Sequence, residues 1–132
     1  MKIQESAENY LETILILSKR NPDVRSIDIV NEMGFSKPSI SNAIHRLKKN
    51  GYLLMNDKGY ISLTKRGLEI AERIHERHLL IEKFLMTLGV NEQTAREDAC
   101  KMEHAISQES FEKMRDHYYA KHAQLLEQTD PE

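Results

Sequence analysis

Residues 26–63 leave little freedom for the fold, because their punctuation occurs in one order. A short apolar-periodic stretch (Ile27, Ile29, Val30, Met33) ends at Gly34, and Ser36 stands ready to cap a following helix. That third helix is predicted to run to about Asn50, with Pro38 in its first turn and Gly51 at its close. Two short apolar runs follow, Tyr52–Met55 and Tyr60–Leu63, around the hairpin turn Asn56-Asp57-Lys58-Gly59. Short helix, glycine turn, helix and hairpin together make a helix-turn-helix with a wing.

The flanking segments read as helices. The first is predicted over Ser6–Arg20, with Ala7, Tyr10, Leu11, Ile14 and Leu17 on one face, and Asn21-Pro22-Asp23 ends it. Ser26 is expected to cap the second helix, and Thr64 a long fourth one reaching about Leu88. Gly89 stops that helix, Asn91 caps a fifth to about Ser107, and a sixth is expected over Glu109–Glu127. With only five Gly and three Pro in 132 residues, the chain is mainly α and fits one compact domain or two small ones sharing a core. No apolar stretch approaches the roughly 18 residues of a membrane helix. The opening MKIQESAENY lacks the layout of a secretory signal, and the single cysteine, Cys100, forms no internal disulfide. Both point to a reducing, cytoplasmic setting.

The formal charge of −2 hides an asymmetry: residues 1–73 carry 12 basic and 9 acidic side chains, and residues 74–132 carry 7 and 12. Between residues 36 and 66, seven cations (Lys37, Arg46, Lys48, Lys49, Lys58, Lys65, Arg66) face only Asp57. Such an excess suits a polyanion, since each neutralised phosphate releases counterions. On the third helix, Ile40, Ile44 and Leu47 are expected to pack inward, leaving Lys37, Ser39, Ser41, Asn42, His45, Arg46 and Lys49 on the other faces. Ser36, Lys37, Pro38, Ser39, Ser41, Asn42 and Arg46, with Lys58 at the wing tip, are therefore the candidate contacts to double-stranded DNA. Short hydroxyls permit close approach, Asn42 suits adenine, and Arg46 suits phosphate or guanine. Singly, Ser36 and Ser39 could be mere caps and Asn42 merely solvated; hairpin and charge together favour DNA.

The second half places polar groups where a core is expected. On the long helix His78 and Glu82, four apart, share the broad stripe of Ile74, Ile81 and Leu85. On the fifth helix Cys100, Glu103 and His104 flank the inward stripe of Ala99, Met102 and Ile106. On the first, Asn9 and Glu12 border the apolar face. Burying such groups unpaired would cost several kcal/mol. A divalent transition metal would satisfy them, because thiolate, imidazole and carboxylate are its ordinary ligands. A satisfied internal network, with Cys100 a small hydrophobe, is the structural alternative. His75, His117 and His122 lack such company and read as surface or packing histidines.

The chain resembles the diphtheria toxin repressor and manganese transport regulator family of metal-dependent repressors. The resemblance rests on Glu8-Asn9-Tyr10-Leu11-Glu12, on Ser36 to Leu53, on Arg77-His78-x-x-x-Glu82-x-Phe84-Leu85 and on Cys100-x-x-Glu103-His104. It implies a winged helix-turn-helix DNA-binding domain over residues 1–66 and an all-helical metal-binding and dimerisation domain over 67–132, as in the shorter, two-domain members. It further implies a homodimer that binds a palindromic operator and represses genes of metal homeostasis when metal is abundant. Carried over by position, the ligands are Asn9, Glu12, His78, Cys100, Glu103 and His104. Cys100 matches the iron branch and Glu12 the manganese branch, whereas Asn9 matches neither and offers only a carbonyl. An ancillary site finds His78 and Glu82, but Arg96 stands where its second histidine belongs. Ligand softness ranks Fe(II) first and Mn(II) second, with Zn(II) or Co(II) also acceptable.

Two rival functions can be separated from this one. A winged-helix regulator sensing a small ligand or oxidant through Cys100 would show no metal response. A metalloenzyme would need a nucleophile–base pair, phosphate loop or substrate motif, none of which the sequence offers, so no enzymatic activity is expected.

Overall fold

The computed structural model describes residues 5–129, and side chains as far as His122. The order is α1 (Glu5–Arg20), α2 (Ser26–Met33), α3 (Lys37–Lys49), β1 (Leu53–Met55), β2 (Ile61–Leu63), α4 (Lys65–Thr87), α5 (Glu92–Ala105) and α6 (Gln108–Thr129). The chain divides into two compact units, residues 1–75 and 76–132, with α4 contributing to both.

In the first unit α1 packs on α2, α3 and β2, while α2 packs on α3 and α3 on β1. Leu11, Ile14, Ile29, Ile40 and Leu53 are fully buried, joined by Leu17, Val24, Ile44, Leu47, Ile61 and Ala71. A Leu or Ile withdrawn from water in this way contributes roughly 1.5–3 kcal/mol. The inward residues of α3 are those of its apolar stripe, with Ala43 added.

The local signals act as expected at most ends. Ser36 caps α3 by accepting the Ser39 N–H at 3.3 Å, and Thr64 caps α4 by accepting the Gly67 N–H at 3.1 Å. Asn91 accepts from the backbone of Gln93 (2.9 Å) and Thr94 (3.4 Å) to open α5. Gly34 takes the left-handed conformation (φ 74°) that turns the chain from α2 toward α3. Ser26, however, is the first helical residue of α2 rather than its cap. Arg25 occupies the cap position in extended conformation, and its N–H is held by the Asp28 carboxylate at 2.8 Å. Asp28 thus supplies the acceptor three residues on.

The wing is an antiparallel pair with Leu53 opposite Leu63 and Met55 opposite Ile61. Asn56 builds its turn, its side-chain oxygen accepting from Lys58 N (2.9 Å) and Tyr60 N (3.0 Å). Val24 adds a one-residue bridge to Ile61, whose N–H donates to the Val24 carbonyl at 2.7 Å. The wing is thereby tied to the loop between α1 and α2.

In the second unit Leu80, Ile81, Ala95, Ala99 and Phe111 are buried, together with two charged residues, Arg77 and Glu103. Leu79, Met86, Leu88 and Tyr119 stay exposed. On α6, Phe111 is buried and Met114 and Tyr118 half-buried; Leu125 and Leu126 lie outside the described side chains.

Candidate metal centre and DNA interface

Five of the sequence-derived metal candidates fall in the second unit, and the structure brings them together. Helix α4 presents His78 and, one turn later, Glu82; the last two turns of α5 present Cys100, Glu103 and His104. His78 Nδ1 lies 3.0 Å from Glu103 Oε2 and 3.7 Å from Cys100 Sγ. Its other nitrogen, Nε2, lies 3.0 Å from Glu82 Oε1. His104 Nε2 is 3.2 Å from Glu103 Oε1, so the Glu103 carboxylate stands between two imidazoles. That carboxylate is wholly buried and the His104 side chain nearly so, whereas Cys100 is open to solvent.

A buried anion needs a compensating positive charge, because desolvating it alone is costly. His78 provides one. The Cys100 sulfur and the Glu103 carboxylate beside it push its pKa from 6.5 up to about 10, against the opposing effect of burial. With both ring nitrogens protonated, His78 donates to Glu103 on one side and to Glu82 on the other. Imidazole nitrogen, carboxylate oxygen and thiol sulfur thus surround a position that a single proton occupies. Soft and borderline donors of this kind fit a divalent transition metal.

The remaining candidates, Asn9 and Glu12, belong to the first unit. Glu12, in the first unit, is buried on α1 and paired with His75 Nδ1 at 3.3 Å. His75 is therefore a packing histidine with a specific acidic partner, which the sequence reading lacked. One turn earlier, Glu8 is buried and reaches the Arg73 guanidinium at 3.3 Å. Asn9 is half-buried on α1, its backbone carbonyl accepting the Thr13 hydroxyl at 2.8 Å. Arg96, in the ancillary histidine's position, is bound to Glu92 of its own helix at 3.0 Å and exposed. That cation offers no ligand to a second metal beside His78 and Glu82.

The sequence reading also gave Arg77 no role. Its guanidinium Nη1 donates to the carbonyls of Glu103 (3.1 Å) and Ile106 (3.0 Å), and Nη2 to Gln108 Oε1 (2.7 Å). A run of basic and acidic letters carries no signal for such a contact; only the His78 neighbour could have drawn attention to it.

In the first unit the candidate DNA contacts are all solvent-facing. Lys37, Pro38, Ser39, Ser41, Asn42, His45, Arg46 and Lys49 are exposed on α3, and Lys58 is exposed at the wing tip. Ser36 and Ser39 are bonded to one another, hydroxyl to hydroxyl at 2.9 Å, so capping accounts for part of their chemistry. Arg66 is drawn onto the Tyr52 ring, its Cζ 4.7 Å from the centroid, and Arg25 lies equally close to Tyr60 on the wing.

The family model for the iron dependent repressor N-terminal DNA binding domain matches residues 2–66, and that for the iron dependent repressor metal binding and dimerisation domain matches 64–119. An uncharacterised HTH-type transcriptional regulator of Methanocaldococcus jannaschii is 33% identical over 115 residues, covering 86% of this chain and 92% of the relative. Transcriptional regulator MntR of Salmonella typhimurium is 34% identical over 109 residues, covering 83% and 69% respectively. Among solved structures, the manganese regulator SloR superposes with a TM-score of 0.76 at 28% identity over 90% of this chain. A manganese-dependent transcriptional repressor complexed with manganese gives 0.74 at 27% over 82%. The chain spans about half the length of those two structures (55% and 50%).

Proposed function

The chain belongs to the iron-dependent repressor family, which includes the manganese regulators, and from that premise we propose that it is a metal-activated, DNA-binding transcriptional repressor of metal-ion homeostasis. Residues 1–66 would form its operator-binding part and 67–132 its metal-binding and dimerisation part. The observation that carries this reading is the His78 imidazole held between the Glu82 and Glu103 carboxylates, with Cys100 beside its Nδ1 and His104 adjoining the same buried Glu103.

His78, Cys100, Glu103 and His104 are the proposed ligands in the second unit. When bound, a divalent cation supplies the positive charge that the His78 proton otherwise gives to Glu103. Glu82 is assigned the opposite face of the imidazole, where a carboxylate fixes the tautomer and ring orientation. The thiolate favours Fe(II) over Mn(II) by softness, although availability can decide between metals of similar affinity. Asn42 and Arg46 of α3 read base edges or phosphate, and Lys58 neutralises backbone charge beside the groove. As a homodimer the protein would present two such heads to a palindromic site.

The test is a selection of random-sequence duplexes by the chelator-stripped protein, without and with Fe(II), Mn(II), Co(II) or Zn(II) under anaerobic conditions. Enrichment of an inverted repeat only when metal is present, abolished by Glu103→Ala or His104→Ala with the fold retained, supports the proposal. Equal enrichment without metal overturns it.

A further inference from the structure

We propose that Arg77 is a positioning residue of the metal centre, which it serves without being a ligand. The inference rests on the reading of His78, Cys100, Glu103 and His104 as ligands. Arg77 and His78 are consecutive on α4, and they grip the same residue of α5 at two points. Arg77 Nη1 holds the Glu103 backbone carbonyl at 3.1 Å, while His78 Nδ1 meets the Glu103 carboxylate at 3.0 Å. Gripping both backbone and side chain fixes Glu103 in position as well as in rotamer. A single contact would leave it free to pivot.

The same guanidinium closes the end of α5. Cys100, Glu103 and His104 lie in the last two turns of a helix that ends at Ala105, where backbone carbonyls lack partners within the helix. Arg77 supplies donors to two of these carbonyls, Glu103 and Ile106, and its charge opposes the negative end of the helix dipole. Its second nitrogen reaches Gln108 at 2.7 Å, and its Cζ stands 5.3 Å from the Phe111 ring, both residues of α6. Three acceptors in a fixed fork and a ring beneath it are what a guanidinium serves and an ammonium does not. Arg77 is itself buried, so solvent cannot take over these contacts if it is removed.

The test compares Co(II) binding by wild type, Arg77→Lys, Arg77→Met and Leu80→Val, read by absorption in the d–d and thiolate charge-transfer regions. Each protein is measured below its own melting transition. Arg77→Lys is expected to stay folded yet bind Co(II) about tenfold more weakly, the lower end of the effect of losing an outer-shell partner. Its d–d envelope should shift as well, with Arg77→Met more affected if it folds. Leu80→Val loosens the packing of the second unit without touching the guanidinium's partners and should keep the wild-type spectrum and affinity. A wild-type spectrum and affinity in Arg77→Lys overturn the proposal, as does an equal shift in Leu80→Val. Absence of Co(II) uptake by the wild type overturns the metal reading itself, and this proposal with it.

Discussion

His78 shows most directly what the sequence pattern meant chemically. Its spacing from Glu82 already placed the two on one face of a helix, and the Cys100, Glu103 and His104 trio pointed to a common centre. The orientation of the ring was not legible, because it depends on which carboxylate approaches which nitrogen. In the structure Nδ1 faces Glu103 and Cys100 while Nε2 faces Glu82. The consequence for pH follows from the sign of the shift. The pKa of His78 in the folded chain, about 10, lies above its ordinary 6.5, so in the metal-free protein its contribution is complete below pH 6.5 and is lost as pH rises toward 10. Thermal melts of chelator-stripped protein should therefore show a decline across that window that His78→Gln lacks. Metal loading has the opposite dependence, because the proton must leave first: affinity should rise with pH, and loading near pH 7.5 should release the His78 proton. Calorimetry in buffers of different ionisation enthalpy measures that release, and a pH-independent affinity would contradict the assignment.

Among the elements, those bounded by strong punctuation were readable from sequence. The α3 helix has Ser36, Pro38 and Gly51, and the wing has its Asn56–Gly59 turn; both form where expected. What escaped was tertiary in origin. The Val24–Ile61 bridge is one residue long and has no periodicity to detect. Asp28 outcompetes Ser26 for the start of α2 because Arg25 offers it an extended backbone N–H. Gly67 is a similar case, lying within the first turn of α4 where glycine is a poor helix former. A Cβ there would stand 2.0 Å from the Tyr52 carbonyl oxygen, a backbone atom that cannot swing aside. That carbonyl also accepts the Thr64 N–H at 3.1 Å, so the start of β1 and the start of α4 are joined there. Gly67→Ala should therefore destabilise the chain by about 1–3 kcal/mol, as overpacking does, seen as a lower urea midpoint. An unchanged midpoint would mean that the wing shifts freely. Within the proposed interface, Asn42→Ala should cost about 1–3 kcal/mol at one operator position and relax preference there. Lys58→Ala should instead weaken all duplexes alike and flatten the salt dependence by about one counterion. Fluorescence anisotropy over a salt series separates the two.

At the scale of the whole molecule, two imbalances point the same way. Cations concentrate in the first unit, where α3 and the wing expose them, while acidic side chains dominate residues 74–132. The second unit also leaves Leu79, Met86, Leu88 and Tyr119 exposed, between 42% and 69% of their surface. A small acidic helical unit gains nothing from presenting such residues to water, and a second copy would cover them without bringing more cations into the interface. A stable two-fold contact needs on the order of 1,200–2,000 Å² of buried surface, within reach of a unit this size if helices pair face to face. The 15.4 kDa chain should therefore sediment as a dimer at micromolar concentration. Such a dimer would bear on DNA affinity as well, because two linked heads would bind a palindrome as one bivalent ligand. A single head is left with the weaker, salt-sensitive attraction of its own cations. Leu88→Lys and Tyr119→Lys together should shift the sedimentation boundary toward monomer and lower operator affinity, while Co(II) uptake by the second unit persists. A wild-type chain that sediments as a monomer at micromolar concentration, with metal present, would break the link between exposed apolar surface and palindromic recognition.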